Sequence, residues 1–188
     1  MKGRIYFEGN PWPEGHEIRR FVWAAEQRGQ DIWFRFHLVS ADYYEERDIV
    51  DDEALEYQSD WDAPIVWGNY HNCTISSDES QSGGFPVCPA TNYTLERING
   101  LRLNVDPLPL DLSEDFAKRA FHIYLLGHDA VADHHIQFSR IAGTALFNIS
   151  WNGKIALAYT GDYEPKYRFR AEIVNIPFPS IDAIPESD

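Results

Sequence analysis

Asp31-Ile32-Trp33-Phe34-Arg35-Phe36-His37-Leu38-Val39-Ser40 is the stretch on which the reading of the fold turns. Ile32, Phe34, Phe36 and Leu38 fall on one side of an extended chain, and Trp33, Arg35, His37 and Val39 on the other. Successive strand side chains point to opposite faces, so this period of two predicts a strand with one buried face. Residues 17–26, just before it, allow two readings. Ile18, Phe21, Val22 and Ala25 fit a helical stripe that Gly29 would end. Phe21-Val22-Trp23 is instead rich in strand formers, and Gln27-Arg28-Gly29-Gln30 makes a hairpin turn. The hairpin is favoured, with the helix as its alternative.

Working outward, residues 3–8 read as a first strand with Ile5 and Phe7 on one side, ended by Pro11 and Pro13. Residues 64–75 are strand-like, and the Ser- and Gly-rich residues 76–84 predict a mobile loop. Two short strands are expected around Asn99-Gly100 within residues 93–105. Ser113-Glu114-Asp115 would cap a short helix reaching about Ala120, before residues 121–126 turn strand-like. Residues 144–151 and 154–160 flank Asn152-Gly153, a favoured hairpin turn pair. Leu146 and Phe147 point to opposite faces there, which argues for a strand covered on both sides or one in a closed sheet. Tyr167, Phe169, Ala171 and Ile173 alternate with Arg168, Arg170 and Glu172, giving a strand with one wet face. Short strands without βα alternation predict an all-β, mainly antiparallel fold: a β-sandwich or partly closed barrel with one or two short helices. A single domain is expected over residues 1–188, with an acidic insertion at about 42–62 and an extended tail from about 177.

Composition excludes several classes. The chain has 188 residues, 44% hydrophobic and 14% aromatic, enough for a real core and incompatible with disorder throughout. No apolar run approaches the roughly 20 residues that span a bilayer. Met1-Lys2-Gly3-Arg4 does not lead into a signal-peptide core, so a cytoplasmic location is expected. Two cysteines, Cys73 and Cys88, exclude a disulfide-dense scaffold. The net charge is −14, and between Asp42 and Asp62 ten acids face one base, Arg47. A chain of this charge is a poor match for nucleic acid or an anionic membrane surface, which need a basic face. A basic protein partner suits it better, since complementary potentials accelerate encounter.

Three groups of residues could carry function. In Gly127-His128-Asp129-Ala130-Val131-Ala132-Asp133-His134-His135, the side chains of His128, Asp133, His134 and His135 are of the types that bind zinc or iron. The spacing matches no named metal motif. If Ile136 and Phe138 face inward, His134 joins them and His135 points out, so the two would diverge. Asp48, Asp51, Asp52 and Glu53 offer hard oxygens suited to calcium, without the order of an EF-hand. Trp12, held between two prolines, and Trp61, between Asp60 and Asp62, are the two tryptophans placed in loop-like stretches, where they could stack on a sugar or a cationic ligand. The sequence holds no nucleophile elbow, phosphate loop or dinucleotide fingerprint. The first expectation is a non-enzymatic interaction module that masks a basic partner with its acidic segment and Trp61, as an immunity-type protein does in a bacterial-type cytoplasm. The alternatives are a metal-dependent small-molecule-binding protein or enzyme at His128–His135, and a sugar-binding module using an exposed tryptophan. The identities of any cofactor and small-molecule ligand stay open.

Overall fold

The computed structural model describes residues 3–45, 57–77, 83–114 and 119–182. Its elements run β1 (Arg4–Phe7), β2 (His16–Arg28), β3 (Asp31–Ser40), α1 (Pro64–Gly68), β4 (Thr74–Ser76), β5 (Phe85–Pro89) and α2 (Leu95–Ile98). They continue as β6 (Arg102–Val105), β7 (His122–Tyr124), β8 (His128–Arg140), β9 (Leu146–Ala156), β10 (Tyr167–Pro177) and β11 (Ile181–Asp182). Among the described residues no helix is long and apolar enough to cross a membrane.

The strands close into an eight-stranded antiparallel barrel in the order β2-β1-β10-β9-β8-β7-β4-β3, with β3 returning to β2. The sandwich alternative is therefore replaced by a barrel. Alternation shows only that each strand buries one face, which is equally true of both architectures. Closure comes from β2, which pairs with β1 at Arg4↔Glu17 and with β3 along nearly its whole length. Short strands complete the wall: β5 lies along the first half of β3 and β6 along the second half of β8. The ambiguous residues 17–26 are strand, and Ile32, Phe34, Phe36 and Leu38 all point into the barrel.

Aromatic rings fill the interior. Phe36 touches Phe21, Phe85, Phe138 and Trp151, with ring centroids 5.0–6.2 Å apart. Edge-to-face contacts dominate, the arrangement that ring quadrupoles favour. One end is closed by a cluster of Phe7, Trp12, His16, Tyr43, Trp61 and Trp67. Three of its polar tips bond to backbone carbonyls: Trp61 Nε1 donates to Glu8 O and Trp67 Nε1 to Trp61 O, both at 2.9 Å, and the Tyr43 hydroxyl donates to Leu125 O at 3.2 Å.

Three local expectations change. Residues 64–75 are not a single strand, because Pro64 opens α1 and only Thr74–Ser76 is extended. Asn99-Gly100 ends α2, whose Thr94 cap accepts from Arg97 N, and Asn99 Oδ1 accepts from Arg140 N; it joins no pair of strands. Asn152-Gly153 is not a turn either, since β9 runs straight through it. Glycine is required there by packing: a Cβ would sit 2.5 Å from Phe169 Cε1 and 2.9 Å from His134 Nδ1. Of the expected tail from about residue 177, residues 177–182 are held back on the barrel, with Phe178 stacked on Tyr93 and Ile181 paired in parallel with Ala25 of β2, and the rest lies outside the described residues. Cys73 and Cys88 are free thiols. Residues 78–82 of the expected loop at 76–84 and residues 115–118 of the expected helix at 113–120 lie outside the described residues.

Gly153→Ala should lower stability by about 1–3 kcal/mol through overpacking. Urea unfolding would show it as a lower midpoint at unchanged slope, whereas an unchanged midpoint would mean that the barrel tolerates a methyl group between Phe169 and His134.

Candidate binding furrow

The candidate metal residues are separated by a bulge in β8. The register with β9 jumps from Ala132↔Lys154 to His135↔Asn152, so Asp133 and His134 together stand opposite Gly153. Asp133 takes up the extra residue with φ 55° and its N–H bonds to Asp106 O at 2.7 Å. The bulge turns Asp133 and His135 outward and His134 inward. His134 is fully buried, between Phe121, Trp151 and Phe169. Trp151 Nε1 donates to its Nδ1 at 3.0 Å, which leaves the proton of the neutral ring on Nε2. Nε2 lies 3.9 Å from Asp106 Oδ2, and burial pushes the His134 pKa down to about 3, so this contact is not an ion pair. The Asp106 carboxylate accepts from Ala120 N and Phe121 N, tying the segment before β7 to the bulge.

His128, Asp133, His134 and His135 therefore do not converge. Nδ1 of His134 is occupied by the indole, and His128 stands on the outer wall with its ring against Tyr124, centroids 5.4 Å apart. Among the described residues no group of three or more His, Cys, Asp or Glu could hold a metal ion. Trp12 and Trp61 are likewise not presented to solvent, being 4% and 2% exposed. Trp61 stacks on Tyr167 at 4.2 Å, so both tryptophans close the barrel end where stacking on a ligand was expected. Asp48, Asp51, Asp52 and Glu53 lie outside the described residues.

The structure instead assembles residues that no local motif marks. Strand pairing places Asn104 opposite His135, His135 opposite Asn152, Asn152 opposite Arg170 and Arg170 opposite Tyr6. One row of outward side chains thus crosses β6, β8, β9, β10 and β1, spaced by the strand separation of about 4.8 Å. A parallel row runs Arg102, Gln137, Ser150, Glu172 and Arg4. His135, Asn152, Arg170 and Tyr6 of the first row line a depression of about 740 Å³ that also holds Glu8, Asp133, Lys154 and Arg168. His135 and Asn152 are shared with a second depression of about 400 Å³ beside Arg102 and Asn104. Tyr6 is shared with a third of about 420 Å³ beside Arg4 and Glu17. The three form one furrow across the strands.

Its charges are positioned differently from one another. Lys154 Nζ sits 3.0 Å from Asp133, while Arg170 lies over the Tyr6 ring at 4.4 Å and pairs with Glu172. Arg168 is exposed and has no ion pair among the described residues. The sequence signal for this wall was the wet face of β10, where Arg168 and Arg170 alternate with core residues. Nothing local joins that face to Asn104 or Tyr6.

His128 belongs to a separate depression of about 510 Å³ lined by Ser76, Arg119, His122 and Tyr124. Asp129 borders it with a buried carboxyl that accepts from Leu126 N at 3.0 Å. Burial raises its pKa to about 6 despite that bond. Comparison with known protein families, curated proteins and solved structures finds no match for this chain.

Asp129 and His134 make opposite contributions to stability against pH. Folded Asp129 keeps a proton up to about pH 6 against an ordinary 3.8, so its contribution falls as pH rises through that window. Folded His134 refuses a proton down to about pH 3 against an ordinary 6.5, so its contribution falls as pH drops through that window. The two slopes oppose one another where the windows overlap, between about pH 4 and 6. Asp129→Asn should therefore steepen the rise of stability with pH in that interval, by up to about 1.4 kcal/mol per pH unit relative to the parent. Urea unfolding of both proteins at several pH values measures the difference, and parallel curves would contradict it.

Proposed function

We propose that this protein is a binding module whose ligand surface is the furrow on the outer wall of the barrel, and whose ligand combines negative charge with hydrogen-bonding groups. The observation that carries the reading is the row Asn104, His135, Asn152, Arg170 and Tyr6: every side chain in it can donate a hydrogen bond and none is acidic, in a chain of net charge −14. The aromatic filling of the interior supports recognition from outside, since the inward positions are taken up by core packing. Placement on strands favours precision, because ladder hydrogen bonds hold each side chain's Cα in register with its neighbours.

A screen of small hydroxylated carboxylates by amide chemical-shift mapping tests this reading without assuming one ligand. Shifts should cluster on residues 104, 133–137, 150–154 and 168–170. Shifts clustering on residues 119–128, or scattered over the barrel, would refute it.

A second reading keeps the acidic segment as a docking element for a basic protein partner. It is favoured by the anchoring of its flanks, through the buried Tyr43 on one side and Trp61 on the other. Neutralising Asp48, Asp51, Asp52 and Glu53 to their amides should then weaken salt-sensitive binding of an oligolysine peptide, whereas unchanged binding would count against it.

A further inference from the structure

Resting on the binding role proposed above, the furrow's shape and chemistry narrow the ligand class. Its central row spans four strand spacings, about 19 Å, and continues past Tyr6 toward Arg4 and Glu17. A site of that length suits a chain of several units more than one compact molecule. Side-chain amides recur along it at Asn104, Gln137 and Asn152, with the hydroxyls of Ser150 and Tyr6. An amide offers a donor and an acceptor side by side, the match for neighbouring hydroxyls on a sugar ring. From β8 to β1 the wall is a sheet face and not an edge. Its backbone groups are engaged in ladder bonds across β8, β9, β10 and β1, so a peptide could not be recognised here by adding a strand.

Charge narrows the class again. Arg168, Arg170 and Lys154 gather at the centre, tempered by Asp133 and Glu8, while Glu17 and Glu172 lie toward one end. Positive potential is thus local, and a chain of net charge −14 repels a densely charged polyanion at long range. Carboxylates spaced along a hydroxyl-bearing chain fit this distribution. We infer that the furrow binds an acidic oligosaccharide of the uronate type, lying across β6, β8, β9, β10 and β1, with hydroxyls on Asn104, His135 and Asn152 and a carboxylate at Arg168 and Arg170.

Titration calorimetry of the whole chain with an unbranched oligogalacturonate tests the class. Three further probes accompany it: the same oligomer fully methyl-esterified, an oligoglutamate peptide, and a heparin-derived oligosaccharide. Oligogalacturonate should bind best, esterification should weaken it by about tenfold or more, and Arg170→Glu should do the same through loss of a charge-assisted contact. Asn152→Ala, at an exposed position, should weaken even the esterified oligomer, whereas Arg20→Glu on β2 should change nothing. Equal or tighter binding of oligoglutamate or the heparin fragment would overturn the assignment, as would oligogalacturonate binding that survives both furrow variants. If oligogalacturonate fails to bind while the carboxylate screen still maps to residues 133–137, 150–154 and 168–170, the sugar class falls and the binding role stands. If the screen also maps elsewhere, both fall.

Discussion

Two residues of β8 stand opposite one residue of β9, and much of the molecule follows from that mismatch. A bulge of this kind bends the strand and adds local twist, which a sheet of eight strands needs to close on itself. Here the extra residue is accommodated by Asp133 at positive φ, and the space on the facing strand by Gly153. The inward member, His134, fills the gap above the missing side chain and accepts the Trp151 indole proton. The outward members, Asp133 and His135, join Lys154 and Asn152 on the wall. Core geometry and surface chemistry are thus set by one irregularity, because a β8 that kept the alternation of Val131 without the extra residue would have sent both Asp133 and His135 into the core.

The interior shows how a mostly apolar barrel tolerates buried polar groups. Neutral His134 has its acceptor satisfied by the Trp151 indole while its Nε2–H is buried without a hydrogen-bond partner among the described residues, and ionisation among Phe121, Trp151 and Phe169 is opposed more strongly still. Asp129 resolves the same conflict from the other side, holding its proton well above the usual carboxylate range. Each group avoids a buried charge by shifting its titration, and the shifts run in opposite directions. Stability against pH is consequently flatter than either residue alone would make it in the weakly acidic range.

Net charge is a poor guide to this surface. The −14 of the chain comes largely from a short acidic stretch and the tail, and at physiological salt exposed charges are screened beyond about 8 Å. The proposed furrow gathers Arg168, Arg170 and Lys154 beside two acids at its centre, Asp133 and Glu8, so its local potential differs in sign from the chain's total. On the proposed binding role, the long-range field of the chain would oppose dense polyanions during approach while the local arginines attract sparsely charged ligands, and that combination would serve specificity.

Much of the all-β character was legible in the amino-acid sequence. Alternation at Ile32 to Leu38 and at Tyr167 to Ile173 is a local property, because a strand's two faces are defined by its own backbone. The divergence of His134 and His135 followed from the same rule once Ile136 and Phe138 were taken as core. Asn152-Gly153 misled because the pair satisfies two different demands, a tight turn or a gap for facing rings, and only the facing rings distinguish them. Trp12 and Trp61 misled because a loop-like sequence does not say whether the loop folds over the end of the barrel. The choice of barrel over sandwich, and the row from Asn104 to Tyr6, were beyond local reading for one reason. Both depend on which strands become neighbours, and pairing between residues more than a hundred positions apart is decided by the packing of the whole core.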